Sequence, residues 1–282
     1  MHFEFPEGYD ANYDLIIDPE VAFSTFTGAA SDNWGMTACP DINKNLIAAG
    51  IVFGADYPLS PGAYDNSFNG GQVDVGITKY NATGTNYVYS TFLGGAASET
   101  PHSLIVNANN ELYVMGATAS QNFPMGTGAF QTTHGGGSSI SVDGISFVNG
   151  SDIYITRLTA AGDGILGSTY YGGSSTDGMS TAGDDIAFNY GDQLRGEVMV
   201  DAASNVYISS TTQSSNIPIV GGFQTTLSGA QDAAPAPWLR CALAGGTAAD
   251  PAEADASGPW LPQPLPRVKT RRPRRPRFEG QA

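Results

Sequence analysis

The chain has 282 residues, two cysteines and a formal net charge of −15. That charge is unevenly divided: residues 1–234 hold 4 basic and 23 acidic residues, a net −19, whereas residues 235–282 carry +4. So acidic a body repels phosphates and argues against nucleic acid as a partner, no apolar run is long enough for a transmembrane helix, and Cys39 with Cys241 makes no disulfide framework.

The chain opens with a β-like stretch, Leu15-Ile16-Ile17-Asp18-Pro19, with no charged-then-apolar leader before it. Phe23-Ser24-Thr25-Phe26-x-Gly28 follows. After the turn residues Asn43-Lys44-Asn45 comes an apolar run over 47–51, then Tyr57-Pro58 and Gly62-Ala63-Tyr64. Residues 74–79 then alternate small or polar positions with Val75 and Ile77, as a strand with two unlike faces should. The series restarts with Tyr89-Ser90-Thr91-Phe92-x-Gly94-Gly95. Residues 103–106 and 112–115 flank the cluster Asn107-Ala108-Asn109-Asn110, a hairpin signal because Asn tolerates left-handed backbone. Phe123-Pro124, Gly128-Ala129-Phe130 and the alternating strand 152–157 complete this unit. A third round begins at Gly167-Ser168-Thr169-Tyr170-x-Gly172-Gly173 and runs through 198–200, the turn Ala202-Ala203-Ser204-Asn205, residues 206–208, Ile217-Pro218 and Gly221-Gly222-Phe223.

Two motifs recurring in one order make the chain an array of a repeated unit. The Ser-Thr pairs start at 24, 90 and 168, spacings of 66 and 78, so a fixed core carries loops of variable length. One insertion spans about 135–150, since Phe130 and Asp152 are 22 positions apart against 10 for Tyr64 and Asp74. Its Gly and Ser content reads as a surface loop. A second spans about 178–196. Four short strands per unit and no helical periodicity predict an all-β fold, a partial β-propeller of about three four-stranded blades over 21–234, with units 21–88, 89–166 and 167–234.

These motifs resemble the SBBP repeat family, named for a seven-bladed β-propeller. Tyr89 to Gly95, Gly116-Ala117-Thr118, Phe123-Pro124, Gly128 to Gln131 and Asp152 to Arg157 match that family's pattern in order, and the resemblance covers about 15–234. The opening 1–20 is similar to the end of a β-rich region that precedes such repeats in longer proteins. The resemblance implies a structural or adhesive segment of an exported or cell-surface bacterial protein, linked to gliding motility or attachment. A glycan or a cell-surface protein would be its partner, beside the neighbouring blades of the parent protein. Three blades do not close a ring, so the chain reads as a fragment whose open ends leave it marginally stable.

From Pro235 the pattern breaks into a Pro/Ala/Arg-rich stretch ending Arg271-Arg272-Pro273-Arg274-Arg275-Pro276-Arg277. Frequent proline opposes regular structure, and disorder is expected over 235–282. A basic arm for a membrane surface or nucleic acid is one reading of this tail; because the break falls inside a repeat, a frameshifted or fused translation is the favoured one.

Candidate chemistry is sparse. Gly162-Asp163-Gly164-Ile165-Leu166-Gly167 fits G-x-G-x-x-G, but a strand pattern follows it where a dinucleotide site needs a helix, so it reads as a hairpin turn. His2, His102 and His134 have no second ligand at metal spacing and read as surface or loop residues. Ser24, Ser90 and Ser168 recur once per unit and therefore serve the unit. Asp177, Asp184 and Asp185 are weak Ca²⁺ candidates: their oxygens sit in or beside the third unit's insertion, without an EF-hand or nonapeptide spacing, and solvated loop acids fit them better. Ser31-Asp32-Asn33-Trp34-Gly35 only loosely resembles a sialidase Asp-box, and Trp34 is expected to pack. Tyr89, Phe92, Phe130 and Tyr170 are expected in the core. No catalytic constellation emerges, so a non-enzymatic module is expected. The alternative is a propeller lyase or glycan hydrolase working at a central channel. Any partner would meet the two insertions.

Overall fold

The computed structural model describes residues 21–181 and 192–238. Residues 1–20, with the opening β-like stretch and His2, lie outside the described residues, as do Asp184, Asp185, Cys241 and the tail from 239 onward.

Local turn chemistry sets the strands. β1 (Asn33–Pro40) and β2 (Leu46–Val52) pair antiparallel around a turn organised by Asp41, whose Oδ1 accepts the N–H groups of Asn43 and Asn45, each at 2.8 Å. β3 (Asp74–Tyr80) and β4 (Tyr87–Leu93) complete a four-stranded sheet of order β1-β2-β3-β4. The second sheet repeats the plan. β5 (Glu99–Val106) turns into β6 (Leu112–Thr118) around Asn107, whose Oδ1 accepts from Asn109 and Glu111 N–H. The short hairpin β7 (Ile140–Val142) and β8 (Ile145–Phe147) intervenes, and then come β9 (Asp152–Leu158) and β10 (Ile165–Tyr171). In the third sheet, β11 (Glu197–Val200) turns around Asp201 into β12 (Val206–Thr212), and β13 (Asp232–Trp238) pairs with β12. All three turns place one non-glycine residue at positive φ, Lys44, Asn110 and Ser204. One side-chain acceptor satisfying two backbone donors is what holds that conformation.

The described residues are therefore all-β, with antiparallel sheets and no helix, so none is long and apolar enough to cross a membrane. Sheets one and two have four strands and the third has three. The expected unit boundaries at 88/89 and 166/167 fall inside β4 and β10, because a repeat fixes a period but not a phase. Hydrogen bonding makes the Ser-Thr strand the last of its sheet.

Alternation fixes how the sheets stack. Leu112, Val114, Tyr154, Leu158 and Tyr170 on one face of sheet two share a core with Ile47, Ala49, Val75 and Ile77 of sheet one. The intervening residues Tyr113, Met115, Ile153 and Ile155 face Val198, Val206, Ile208 and Ala234 of sheet three. Sheet two is thus covered on both faces. Each such buried side chain contributes about 2 kcal/mol relative to exposure.

Two expectations need correction. Disorder was expected from Pro235, yet β13 continues to Trp238. Successive strand residues direct their N–H groups to opposite edges, so Pro235 and Pro237 both lack their donor on the same edge. Nothing among the described residues pairs there, so no ladder bond is lost. The insertion at 135–150 is also no free loop. Ile140-Ser141-Val142 and Ile145-Ser146-Phe147 alternate about the Asp143-Gly144 turn, and Val142, Ile145 and Phe147 are buried with Ile51, Ala117, Met179 and Leu194.

Candidate functional site

The first strands of the three sheets lie side by side, β1 against β5 and β5 against β11. Between them opens a cleft of about 540 Å³ lined by Met36, Thr37, His102, Arg195 and Glu197 together with Gly35. β5 carries His102 into it, and Glu197 begins β11. Ser103 Oγ donates to Glu197 Oε2 at 2.9 Å across the junction of sheets two and three. His102 Nε2 shares a 3.3 Å hydrogen bond with Thr100 Oγ1, while its Nδ1 is buried without a partner. Burial alone pushes this imidazole down to about 3, so it is neutral at ordinary pH. Arg195 pairs with Asp192. The wall can thus donate and accept hydrogen bonds and offers one carboxylate. Position by position, Met36 of sheet one corresponds to His102, so the repeat does not dictate this imidazole. A residue that departs from its counterpart in the same repeat was the available signal.

The residues singled out in the sequence go elsewhere. Asp177 is fully buried rather than solvated. Its Oδ2 accepts the Gly173 N–H at 2.7 Å and the Ser214 hydroxyl at 2.8 Å, and the Thr212 hydroxyl binds Oδ1. Burial, the largest influence, raises its pKa, against the pull of these donors. Among the described residues no group of three or more His, Cys, Asp or Glu side chains is placed to hold a metal ion. Asp184 and Asp185 lie outside the described residues. Asp32 sits before β1, where its carbonyl accepts the Phe53 N–H.

The Ser-Thr pairs of β4 and β10 are structural, within their own sheet and its loop, whereas Ser24 and Thr25 are exposed and lie outside any strand, so the first copy of the motif does not take that place. Ser90 Oγ and Thr78 Oγ1 are 2.7 Å apart, and Ser168 Oγ and Thr156 Oγ1 2.8 Å. Thr91 accepts the Asp65 N–H and Thr169 that of Gln131, both at 2.9 Å, which clamps the loop after each Gly-Ala-aromatic motif. The Gly162 segment is a hairpin turn between β9 and β10, as expected, with Gly162 N–H bonded to the Thr159 carbonyl.

The histidines differ from expectation. His134 is buried, edge-on to Tyr170, with Nε2 3.1 Å from the Thr118 carbonyl, and His102 is on a strand. Tyr89, Phe92 and Tyr170 are core residues, but Phe130 is half exposed because its motif lies on a loop at the sheet's rim. Trp34 packs edge-on against Phe53, 4.9 Å between ring centres.

Compared with known proteins, the chain matches no family model, and no curated protein is significantly similar to it.

Proposed function

We propose that residues 21–238 are consecutive blades of a β-propeller that serves as a structural or adhesive segment of an exported or cell-surface bacterial protein. The observation that supports this most is the stacking: sheets packed face to face, their first strands adjacent and their repeat motifs at equivalent places. The repeated hydrophobic positions and turn acceptors build a rigid frame, and the exposed side chains of loops and rims are left for contact with a glycan or a surface protein. The setting inferred from the resemblance is gliding motility or surface attachment. Antibody raised against the purified chain, applied to intact source cells, tests the location. Labelling of unbroken cells with loss of attachment is the expected result, and labelling only after lysis would sink the proposal.

The cleft at the first strands supports a second reading, a propeller lyase or glycan hydrolase acting at the channel. Glu197 and the neutral His102 are its acid and base candidates, since such chemistry needs groups that break the repeat symmetry. Turnover of a polysaccharide panel that disappears in Glu197→Gln would favour the enzyme over the adhesive module.

A further inference from the structure

The passage from one sheet to the next brings two acidic side chains together, twice. At the first, Asp74 opens β3 of sheet one and Glu99 opens β5 of sheet two. Both are completely buried. A methyl group placed on Gly94 would lie 2.7 Å from Asp74 Oδ1 and 2.9 Å from Glu99 Oε2, so the two oxygens converge on one point. The other oxygens are engaged: Asp74 Oδ2 accepts the Asn69 N–H at 2.6 Å and Glu99 Oε1 accepts the Thr118 hydroxyl at 2.7 Å. Glu99 Oε2 also takes the Gly95 N–H at 3.1 Å. Asp74 Oδ1 has no donor at all. The second passage echoes the first. Asp152 opens β9 and its Oδ1 is again a buried acceptor without a hydrogen-bond donor; Asp177, after Gly172-Gly173, adds negative charge beside it, and the imidazole of His134, kept neutral by burial, stands 4.0 Å from that oxygen.

A buried oxygen without a donor, set against a second carboxyl group, lacks only a proton. We propose that Asp74 and Glu99 share one proton that latches sheet one to sheet two, and that the latch opens as the pH rises and both groups ionise. Bond bookkeeping supports it: a protonated carboxyl supplies the missing donor, whereas two carboxylates in this apolar junction repel each other. The other groups facing the pair provide no counter-charge. Asp65 adds negative charge beside Asp74; Tyr154 and Tyr170 stand near Glu99, their own ionisation pushed up chiefly by burial; the remaining neighbours are neutral, the Ser120 hydroxyl facing Glu99 and the donors named above. Burial foremost raises Asp74 to about 7 and Glu99 to about 8, and Asp152 rises to about 7 for the same reason.

These acids are raised above their unfolded values, so their stabilisation is complete below the ordinary carboxylate range, declines progressively as the pH rises from there, and is exhausted once the pH has climbed through about 7 to 8. The neutral histidines act in the opposite sense, but only below the usual 6.5, and Cys39, raised to about 11, acts only above the window. Thermal unfolding of the full chain at pH 6.5, 7.5 and 8.5 is the test. The native midpoint is expected to fall by about 5 °C across that range. Glu99→Gln, whose amide supplies a donor to Asp74 without titrating, is expected to remove a large part of the fall while the second junction keeps the rest. A native midpoint that is level or rises would overturn the latch, as would a fall of unchanged size in folded Glu99→Gln. If that variant does not fold, Asp74→Asn carries the same comparison, and the native profile stands without either.

Discussion

Sheets two and three open with the same kind of hairpin, turned around Asn107 in one and Asp201 in the other, yet among the described residues one is an interior layer and the other an end layer. On β6, Leu112 and Val114 point one way and Tyr113 and Met115 the other, and all four are buried. On β12, Val206 and Ile208 are buried, while Tyr207 and Ser209 face outward with Met199 of β11. A strand covered on both faces needs apolar residues at every position, and a strand covered on one needs them at every second. The difference teaches that layer position in this stack is written in the second face, not in the motifs that define the repeat.

The largest expected effect tests this contrast. Tyr154→Ala empties a fully buried site in sheet two and should cost about 4 kcal/mol in denaturant unfolding. Tyr207→Ala, on the outward face of sheet three, should cost less than about 1 kcal/mol. Equal losses would mean that the third sheet's outer face is covered in solution.

A smaller effect sharpens the role of the junctions. Gly94→Ala drives a methyl group to 2.7 Å from the Asp74 carboxyl carbon and should destabilise the chain by about 2 kcal/mol. Gly164→Ala, whose nearest neighbour would be 3.5 Å away in the β9–β10 turn, should change unfolding by less than about 0.5 kcal/mol. Similar costs at both positions would remove the steric argument for glycine beside the acid pair.

A pH-dependent effect separates the cleft from the latch by its sign. His102 is held far below its usual value, so its contribution is present above pH 6.5 and lost as the pH falls toward 3. His102→Phe should therefore flatten part of the acid-side decline in stability, leaving the profile above pH 7 unchanged. An identical acid limb in that variant would place the titrating group elsewhere.

Much of this fold was legible in the chain. The turns at Asn43-Lys44-Asn45, 107–110 and 202–205 were readable because one Asx side chain and a left-handed residue make a local motif. The hairpin within 135–150 was equally local, and Asp143-Gly144 between alternating residues was its signal, obscured by surrounding Gly and Ser. The candidate cleft was not legible, because Met36, His102 and Glu197 meet only when three strands far apart in sequence converge. Asp177 illustrates the same limit: an acid in a polar stretch reads as solvated until the fold sets Thr212 and Ser214 on its oxygens.

By itself the sequence determined the repeat, the strand-and-turn grammar and the apolar alternation, since each depends on residues within a few positions of one another. Tertiary structure alone decided which strand closes each sheet, that β13 runs through two prolines at an open edge, and that Asp74 meets Glu99. Those outcomes depend on which backbone edges and faces are brought together, and residue order does not carry that information until the sheets have stacked.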